Sequence, residues 1–341
     1  DGGGGEGEGN AGGEGEGKSG DDEGARAALL QLRGDVVGRM TKAFDGRPRF
    51  DRWGQHYVRA LLLAHSRQLC TNFMDGGLQR YGGELRSLAR VERILMDGSR
   101  SVGVQLSNGE LIRADQIVSN ADIWSTLKLL PQDVAVGWQR DRAETPACHG
   151  FLHLHLGFDA SGLDDLPIHT VWVDDWQRGI AAERNAVVLS VPSVLDPAMA
   201  PPGQHVLHGY TPASEPWSLW ADLTRGSEAY QALKTERCSV FWRVLERRIP
   251  DIRDRCHVVM EGTPLTHGHY LNVHRGSYGP ALSAAEGLFP GVTTPLDGLW
   301  LCGASTFPGI GIPPVAASGA LAAHGIVGRQ AQRQLLQELG L

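Results

Sequence analysis

The sequence predicts a mixed helix-and-sheet protein of the α/β (α+β) class whose main sheet is antiparallel. Short runs of apolar residues between positions 84 and 119 are separated by Asp97-Gly98 and Asn108-Gly109. These dipeptides favour hairpin turns because they tolerate positive φ. Strand-like and helix-like runs alternate over residues 126–269, and a strand, a glycine-rich loop and a helix of small residues follow them near the end of the chain.

Residues 1–24 have a different composition from the rest of the chain. They hold eight of the 39 acidic residues and one of the 32 basic residues, Lys18, so 31 of each remain in the other 317 positions. Such a glycine-rich and acidic segment cannot bury enough apolar surface to fold, and we predict that it is disordered. The balanced charge of the remainder argues against a nucleic-acid-binding surface.

Two nucleotide-binding patterns occur inside this segment. Gly7–Gly12 spells GxGxxG, and Gly12–Ser19 spells a Walker A loop. Neither pattern follows a predicted strand, and the carboxylates of Glu14 and Glu16 would repel a phosphate group. We therefore assign no binding function to either pattern.

The next two segments are predicted to be a helical segment and then a strand meander. Residues 25–83 are assigned to short amphipathic helices because apolar residues recur at three- and four-residue spacing. Three or four antiparallel strands are expected after them. The strand-like runs from which they would form are Glu84–Leu88, Arg90–Leu95, Ser101–Leu106, Leu111–Arg113 and Gln116–Ser119.

The middle of the chain predicts a second sheet with a long helix. Apolar runs with strand-like composition are followed by a helical run at Gly226–Ile249, which ends at Pro250. The chain then returns to a short buried strand at Gly298–Gly303 and a helix from Val315 to about Leu336. The predicted strands of the second sheet are Phe151–Phe158, Thr170–Trp176, Ala186–Leu195 and His205–Pro212.

The loop between the last strand and the last helix is a candidate ligand site. Gly303, Gly309 and Gly311 allow a bulky planar or phosphorylated ligand to approach the backbone, and the N–H groups at a helix N-terminus favour negative charge. A flavin, with its N1 and O2 edge, fits this description. The alternative is tight packing of the helix on the sheet without a ligand.

The histidine and cysteine spacing does not predict a metal site. His153 and His155 share one face of a strand, and HxH spacing can ligate a metal, but no carboxylate or cysteine completes the set at a regular spacing. The cluster His267, His269 and His274 also lacks a carboxylate or cysteine at a regular spacing. The five cysteines lie far apart without a CxxC pair, and no GxSxG motif indicates a hydrolase.

Several sequence blocks resemble a known family. The blocks LWLCGASTFPGIGIPPVAASG, GGELRSLARVERI and RSVGVQLSNGELIRADQIVSNADIWSTLKLLP resemble the carotenoid isomerase and phytoene desaturase-like group of FAD-dependent oxidoreductases. The blocks HLHLGFDA, SVPSVLDP and RGSYGPA are similar to its plant and cyanobacterial branch. The resemblance extends over roughly residues 70–330.

The resemblance implies a fold, a cofactor and a set of binding residues. The chain would be the C-terminal part of a two-domain FAD-dependent oxidoreductase fold, with parts of an FAD-binding domain at 84–130 and 296–336 and an antiparallel-sheet substrate domain at 131–295. The first Rossmann βαβ unit, with its strand–GxGxxG–helix, has no counterpart in the sequence. The FAD-binding positions implied are Val91, Gly303, Ala304, Gly311, Ile312 and Val315.

The function implied is action on a carotenoid or another apolar polyene, by cis–trans isomerisation or desaturation. The alternatives are a catalytically inactive or truncated homologue and an apolar-ligand-binding protein without flavin. No residue is assigned as a general acid or base. A plastid location and peripheral membrane association are further expectations, whereas the oligomeric state is not predicted.

Overall fold

The computed structural model describes residues 82–282 and 289–338. Helices and sheets are mixed along this part of the chain, which confirms the predicted α/β (α+β) class. The predicted disordered segment 1–24 lies outside the described residues. The predicted helical segment 25–83 also lies outside them, except for its last two residues.

The first sheet is the predicted meander of antiparallel strands. Its three strands are β1 (Val91–Asp97), β2 (Arg100–Leu106) and β3 (Leu111–Arg113), in that order. Gly98 and Gly109 both have positive φ in the turns, as the dipeptides predict. The strand predicted at Glu84–Leu88 was wrong, because these residues form turns and irregular backbone.

The second sheet joins two distant parts of the chain. Strand β4 (Ile117–Ser119) and strand β10 (Leu299–Leu301) pair in parallel. The three strands of the first sheet agree with the three or four antiparallel strands predicted, and β4 is a predicted strand that does not join them. Its partner is about 180 residues away in sequence, and a local pattern of apolar residues carries no information about such a partner. Two short helices follow β4, α1 (Ile123–Leu127) and α2 (Val136–Ala143).

The third sheet has five antiparallel strands in the order β6-β7-β8-β5-β9. Adjacent strands are held in a defined register, with His155 directly opposite His208 on β5 and β8. The strands match the predicted alternating runs to within a few residues, and the ninth strand was not predicted. The bounds are β5 (His153–Asp159), β6 (His169–Val173), β7 (Ala186–Ser190), β8 (Gln204–Tyr210) and β9 (Cys256–Gly262).

A long helix, α3 (Glu228–Arg248), covers one face of this sheet. Ser227 caps its N-terminus, because the serine hydroxyl accepts a hydrogen bond from the N–H of Tyr230 at 3.2 Å. Its buried side packs on alternate residues of β5, which point to the same face of the strand. This contact forms the largest core of the described residues. The β5 residues and their helical neighbours include Leu154, Leu156, Phe158, Phe241 and Leu245.

A buried ion cluster lies at the edge of this core. Arg237 of α3 donates to both carboxylate oxygens of Glu215, each at 2.8 Å, and also to Glu183 at 2.9 Å. The indole N–H of Trp220 donates to Glu215 at 2.9 Å. Burial alone lowers the pKa of Arg237, but its bonds to the two carboxylates and their charges raise it overall. The backbone of Glu215 also pairs with Gly150, immediately before β5.

The remaining helices are α4 (Ile252–Arg255), α5 (Pro264–Leu271) and α6 (Ile312–Glu338). Helix α6 is interrupted at Gly328, which has φ +82°. No helix within the described ranges is long and apolar enough to cross a membrane.

Candidate functional site

The loop after β10 is fixed to the start of α6 by a serine. The N–H of Gly303 donates to Ser318 Oγ at 2.8 Å, and the same hydroxyl donates to the carbonyl of Val315 at 2.7 Å. Gly303 has φ +99°, and a Cβ at this position would overlap Oδ1 of Asn120. Both the conformation and the close approach therefore require glycine here.

The middle of the loop is buried and makes its own hydrogen bonds. Ser305 accepts a bond from the N–H of Ile123, at the start of α1, at 3.2 Å. The N–H of Thr306 donates to the carbonyl of Gly303 at 3.1 Å, and the N–H of Gly309 donates to the carbonyl of Thr306 at 2.8 Å. These bonds hold the loop in one conformation between α1 and α6.

The first turn of α6 presents a short stretch of backbone donors. The N–H of Val315 donates to the carbonyl of Gly311 at 2.9 Å, while Pro313 and Pro314 have no N–H. The donors before them are the N–H groups of Gly311 and Ile312. This end of the helix can therefore receive the polar edge of a planar ligand through those two groups.

The structure brings together most of the positions that the resemblance assigns to FAD. Val91 lies in a different element, where it begins β1 and pairs with Leu106 in the first sheet. Ala304 stands directly after Gly303 and offers no charged side chain to a ligand. The roles of these residues in FAD binding stay predictions. The residues that share the loop and the first turn of α6 are Gly303, Ala304, Gly311, Ile312 and Val315.

We expect Gly303→Ala to destabilise the protein by about 1–3 kcal/mol, because alanine is strained at positive φ and its Cβ would displace Asn120. Gly319→Ala in α6 is the matched control, since a Cβ at Gly319 meets nothing within 4 Å. This control should raise stability by up to about 1 kcal/mol, because alanine favours a helix over glycine. Chemical denaturation of both variants measures the difference, and an equal stability of the two would contradict the geometry.

A second candidate surface is the face of the five-stranded sheet opposite α3, which we call the imidazole face. Because side chains alternate along a strand and directly paired residues point the same way, its members follow from the register. None of these residues carries a lysine or arginine side chain, and the one carboxylate among them is Asp159, the last residue of β5. They are His153, His155, Gly157, Asp159, His169, Val171, Val173, Ala186, Val188, Ser190, Gln204, Val206, His208, Tyr210, Val258, Met260 and Gly262.

Three histidines stand side by side at the centre of the imidazole face. Nδ1 of His153 and Nε2 of His208 are 2.8 Å apart and share a hydrogen bond. The rings of His155 and His208 stack with centroids 4.5 Å apart, and the ring of His267 meets His153 edge-on at 4.8 Å. Burial, together with repulsion from His267, lowers the pKa of His155 to about 4. His155 is therefore neutral at pH 7.

A chain of contacts connects the imidazole face to the glycine-rich loop. The ring of Phe151 lies 5.4 Å from His153 and packs edge-to-face against Tyr278, with centroids 4.3 Å apart. The next residue, Gly279, has φ +137°, and a Cβ there would lie 3.3 Å from the carbonyl oxygen of Ala304. The two candidate surfaces are thus neighbours.

Sequence reasoning identified only part of this arrangement. It placed His153 and His155 on one face, but it missed His208 and Tyr210, which join them through strand pairing. The available signal was the alternation in the run HVLHGY, which matches the alternation in HLHLGF. The contact of Tyr278 with Phe151 has no comparable signal, because Tyr278 lies in an irregular loop.

Comparison with known proteins finds carotenoid isomerases and desaturases among the relatives. The chain is 35% identical over 259 residues to the chloroplastic prolycopene isomerase of Daucus carota. This alignment covers 73% of this chain and 41% of that protein. It is 34% identical over 260 residues to the chloroplastic prolycopene isomerase of Arabidopsis thaliana, with 73% and 42% covered. A lycopene-forming phytoene desaturase of a Paracoccus strain is 28% identical over 267 residues, with 73% and 52% covered.

These relatives confirm the resemblance to the carotenoid isomerase and phytoene desaturase-like group. The chain spans about half the length of the curated relatives it matches, or less. The similarity therefore supports a partial FAD-dependent oxidoreductase fold, in agreement with the predicted fold class. The names of the relatives describe those proteins and not this chain.

A family model and several solved structures also match the chain. A family model described as VWA / Hh protein intein-like matches residues 26–92, most of which precede the described part of the chain.

Among solved structures, an oxidoreductase from Methanosarcina mazei is 16% identical, with a TM-score of 0.44. The alignment covers 73% of this chain and 50% of that one. Cyclohexylamine oxidase from Brevibacterium oxydans is 18% identical, with a TM-score of 0.42, and covers 68% and 47%. Such scores are too low to support a conclusion.

Proposed function

We propose, taking the family resemblance as the premise, that this chain forms the polyene-binding part of an FAD-dependent oxidoreductase. The substrate class is a carotenoid or a similar apolar polyene, and the reaction is cis–trans isomerisation or desaturation. The observation that carries the proposal is the imidazole face, a sheet surface without lysine or arginine whose one carboxylate, Asp159, lies at the end of β5. This surface adjoins the glycine-rich loop at Gly279.

The imidazole face has the properties that a polyene requires. Apolar and aromatic side chains such as Val188 and Tyr210 give it dispersion contacts with a conjugated chain, whereas Met260 already packs against a cluster that contains Met199 and Ala200. His155 is neutral at pH 7, so the centre of the face does not impose an obligatory charge on an apolar ligand. A ligand lying along β5 and β8 would be kept from water on one side by the whole sheet.

FAD is the cofactor of this proposal, and the residues at the loop fit part of it. Gly311 and Ile312 would hold the polar edge of the flavin through their N–H groups, and the fixed conformation at Gly303 would let the ring lie against the backbone. When bound, FAD supplies electron exchange with the conjugated chain. The chain's own residues bind and orient the polyene and exclude water, and no residue is assigned as a general acid or base.

A second candidate function is apolar-ligand binding without flavin, in a catalytically inactive or truncated homologue. One observation favours it. Ala304, directly after Gly303 in the glycine-rich loop, offers no charged side chain to a cofactor. In this function the imidazole face would bind the same class of polyene without a reaction.

The experiment that separates the two functions is incubation of the 341-residue chain with a cis-carotenoid in liposomes. One sample receives FAD and a reductant for isomerisation, one receives FAD and an electron acceptor for desaturation, and one receives no FAD. Liquid chromatography resolves the isomers and the desaturated products. Conversion that depends on FAD supports the enzyme. Retention of unchanged carotenoid by the chain in all samples supports the binding protein, and neither conversion nor retention contradicts both.

The location of the protein is proposed from its relatives alone. Two of the relatives are named as chloroplastic, and we extend a plastid location to this chain. Peripheral membrane association is proposed because the substrate class is lipid-soluble and because Trp176 is 77% exposed, as interfacial tryptophans are.

A further inference from the structure

The three central histidines of the imidazole face have the geometry of a metal-ligand set. One ligating atom from each of His153, His155 and His208 lies within 4.8 Å of the other two. His155 and His208 are a direct cross-strand pair, and His153 stands two residues away on the same side of β5. The backbone ladder of two adjacent central strands therefore fixes the positions of all three residues.

We propose that His153, His155 and His208 bind one divalent transition-metal ion, and that this ion is Zn²⁺. Imidazole nitrogen is a preferred donor for Zn²⁺, and a set without carboxylates disfavours Mg²⁺ and Ca²⁺. Three protein ligands leave a fourth position for water or a substrate atom, which is the arrangement of catalytic rather than structural zinc sites.

The three rings must rotate to hold the ion, because they lie nearly parallel, with interplanar angles of 5°, 11° and 15°. With Zn–N distances of about 2.0–2.1 Å, a tetrahedral site places its nitrogens about 3.3 Å apart. Nδ1 of His153 and Nε2 of His208 are 2.8 Å apart, because they share a hydrogen bond. Replacing that bond by two metal bonds needs these two nitrogens to separate by about 0.5 Å. Ligand atoms of the set that lie up to 4.8 Å apart must approach by up to about 1.5 Å, and side-chain rotation provides both changes.

The surroundings of the three histidines accept a cation. Arginine and lysine side chains are not among the residues of the imidazole face, and each of the three histidines is half-buried. His267 stands next to His153 and is the nearest further imidazole by ring contact. This proposal uses the fold and the three ligands alone. A bound Zn²⁺ would place charge at the centre of the imidazole face, so the ion and an apolar polyene covering these rings are alternative occupants, and failure of one proposal leaves the other standing.

The test is metal titration of the intact 341-residue chain after treatment with a chelator. Isothermal titration calorimetry with Zn²⁺ should give one site per chain, and Co²⁺ should give the visible absorption bands of a four- or five-coordinate ion. X-ray absorption on the zinc-loaded protein counts the imidazole ligands without any substitution. Three imidazoles support the proposal, and a zinc shell with fewer than three contradicts it.

Variants assign the site to these residues. His208→Ala should weaken Zn²⁺ binding by about 100-fold or more, because removal of a ligand costs at least as much as removal of the groups that orient one. His269→Ala is the matched control, since His269 is exposed on α5 and outside the three-histidine set. Thermal melting identifies any variant that fails to fold. Equal Zn²⁺ affinity in folded His208→Ala and wild type would overturn the proposal, as would a folded wild type that binds no Zn²⁺.

Discussion

Replacing Arg237 by alanine is expected to lower the free energy of unfolding by about 3–5 kcal/mol, because it leaves the fully buried carboxylate of Glu215 without its cation. Two hydrogen bonds of 2.8 Å from Arg237 would be lost at once. The bond from Trp220 would remain but cannot neutralise the charge. Chemical denaturation followed by circular dichroism measures the change.

The matched control is Arg243→Ala on the same helix. Arg243 is exposed and lies 3.5 Å from Asp174, so its loss should change stability by about 1 kcal/mol or less. Arg237→Lys should give an intermediate loss, because lysine keeps the charge without the paired donors. A loss below 1 kcal/mol for Arg237→Ala would show that the buried cluster contributes no more than a surface ion pair.

A second large effect is expected on ligand binding. Val188→Asp places a carboxylate on the imidazole face, directly opposite Tyr210 on the neighbouring strand. Covering that charge with an apolar polyene costs about 3 kcal/mol, which corresponds to about a 100-fold weaker affinity. The induced circular dichroism of a carotenoid, added from detergent micelles, measures binding.

Val259→Asp is the control for this effect. Val259 belongs to the same sheet, is 48% exposed and points to the opposite face, as its pairing with Leu156 requires. The control therefore adds the same charge without placing it on the imidazole face, and carotenoid affinity should stay within about twofold of wild type. Equal weakening by both substitutions would assign the effect to net charge or to folding and contradict the location of the site.

The parts of the fold predicted from sequence are those whose signal is local. Alternating apolar residues located β5 and β8 within a few positions, and Ser227 and Pro250 bracket α3 near its predicted ends. The parallel pairing of β4 with β10 could not be predicted from either strand alone, because it depends on residues about 180 positions apart. The glycine-rich loop was located correctly, since its strand, glycines and helix are contiguous.

The composition of the imidazole face also depends on strand pairing that the sequence does not show. The run HLHLGF predicts that His153 and His155 share a face, but it does not say which residue lies opposite them. Only the register of β5 against β8 brings His208 to the same place. The third histidine of the set is therefore known only from the tertiary structure. For this reason the spacing of histidines in the sequence did not predict a metal site.

The central claim is that an apolar polyene lies on the imidazole face next to the glycine-rich loop. The most direct measurement is photo-cross-linking of the 341-residue chain with a polyene that carries a diazirine, followed by mass spectrometry of the labelled peptides. Label in the peptides that contain β5, β8 and Tyr278, reduced by competing lycopene, is the result we predict. Competed label confined to the first sheet, β1 to β3, or to the exposed side of α3 would contradict the claim.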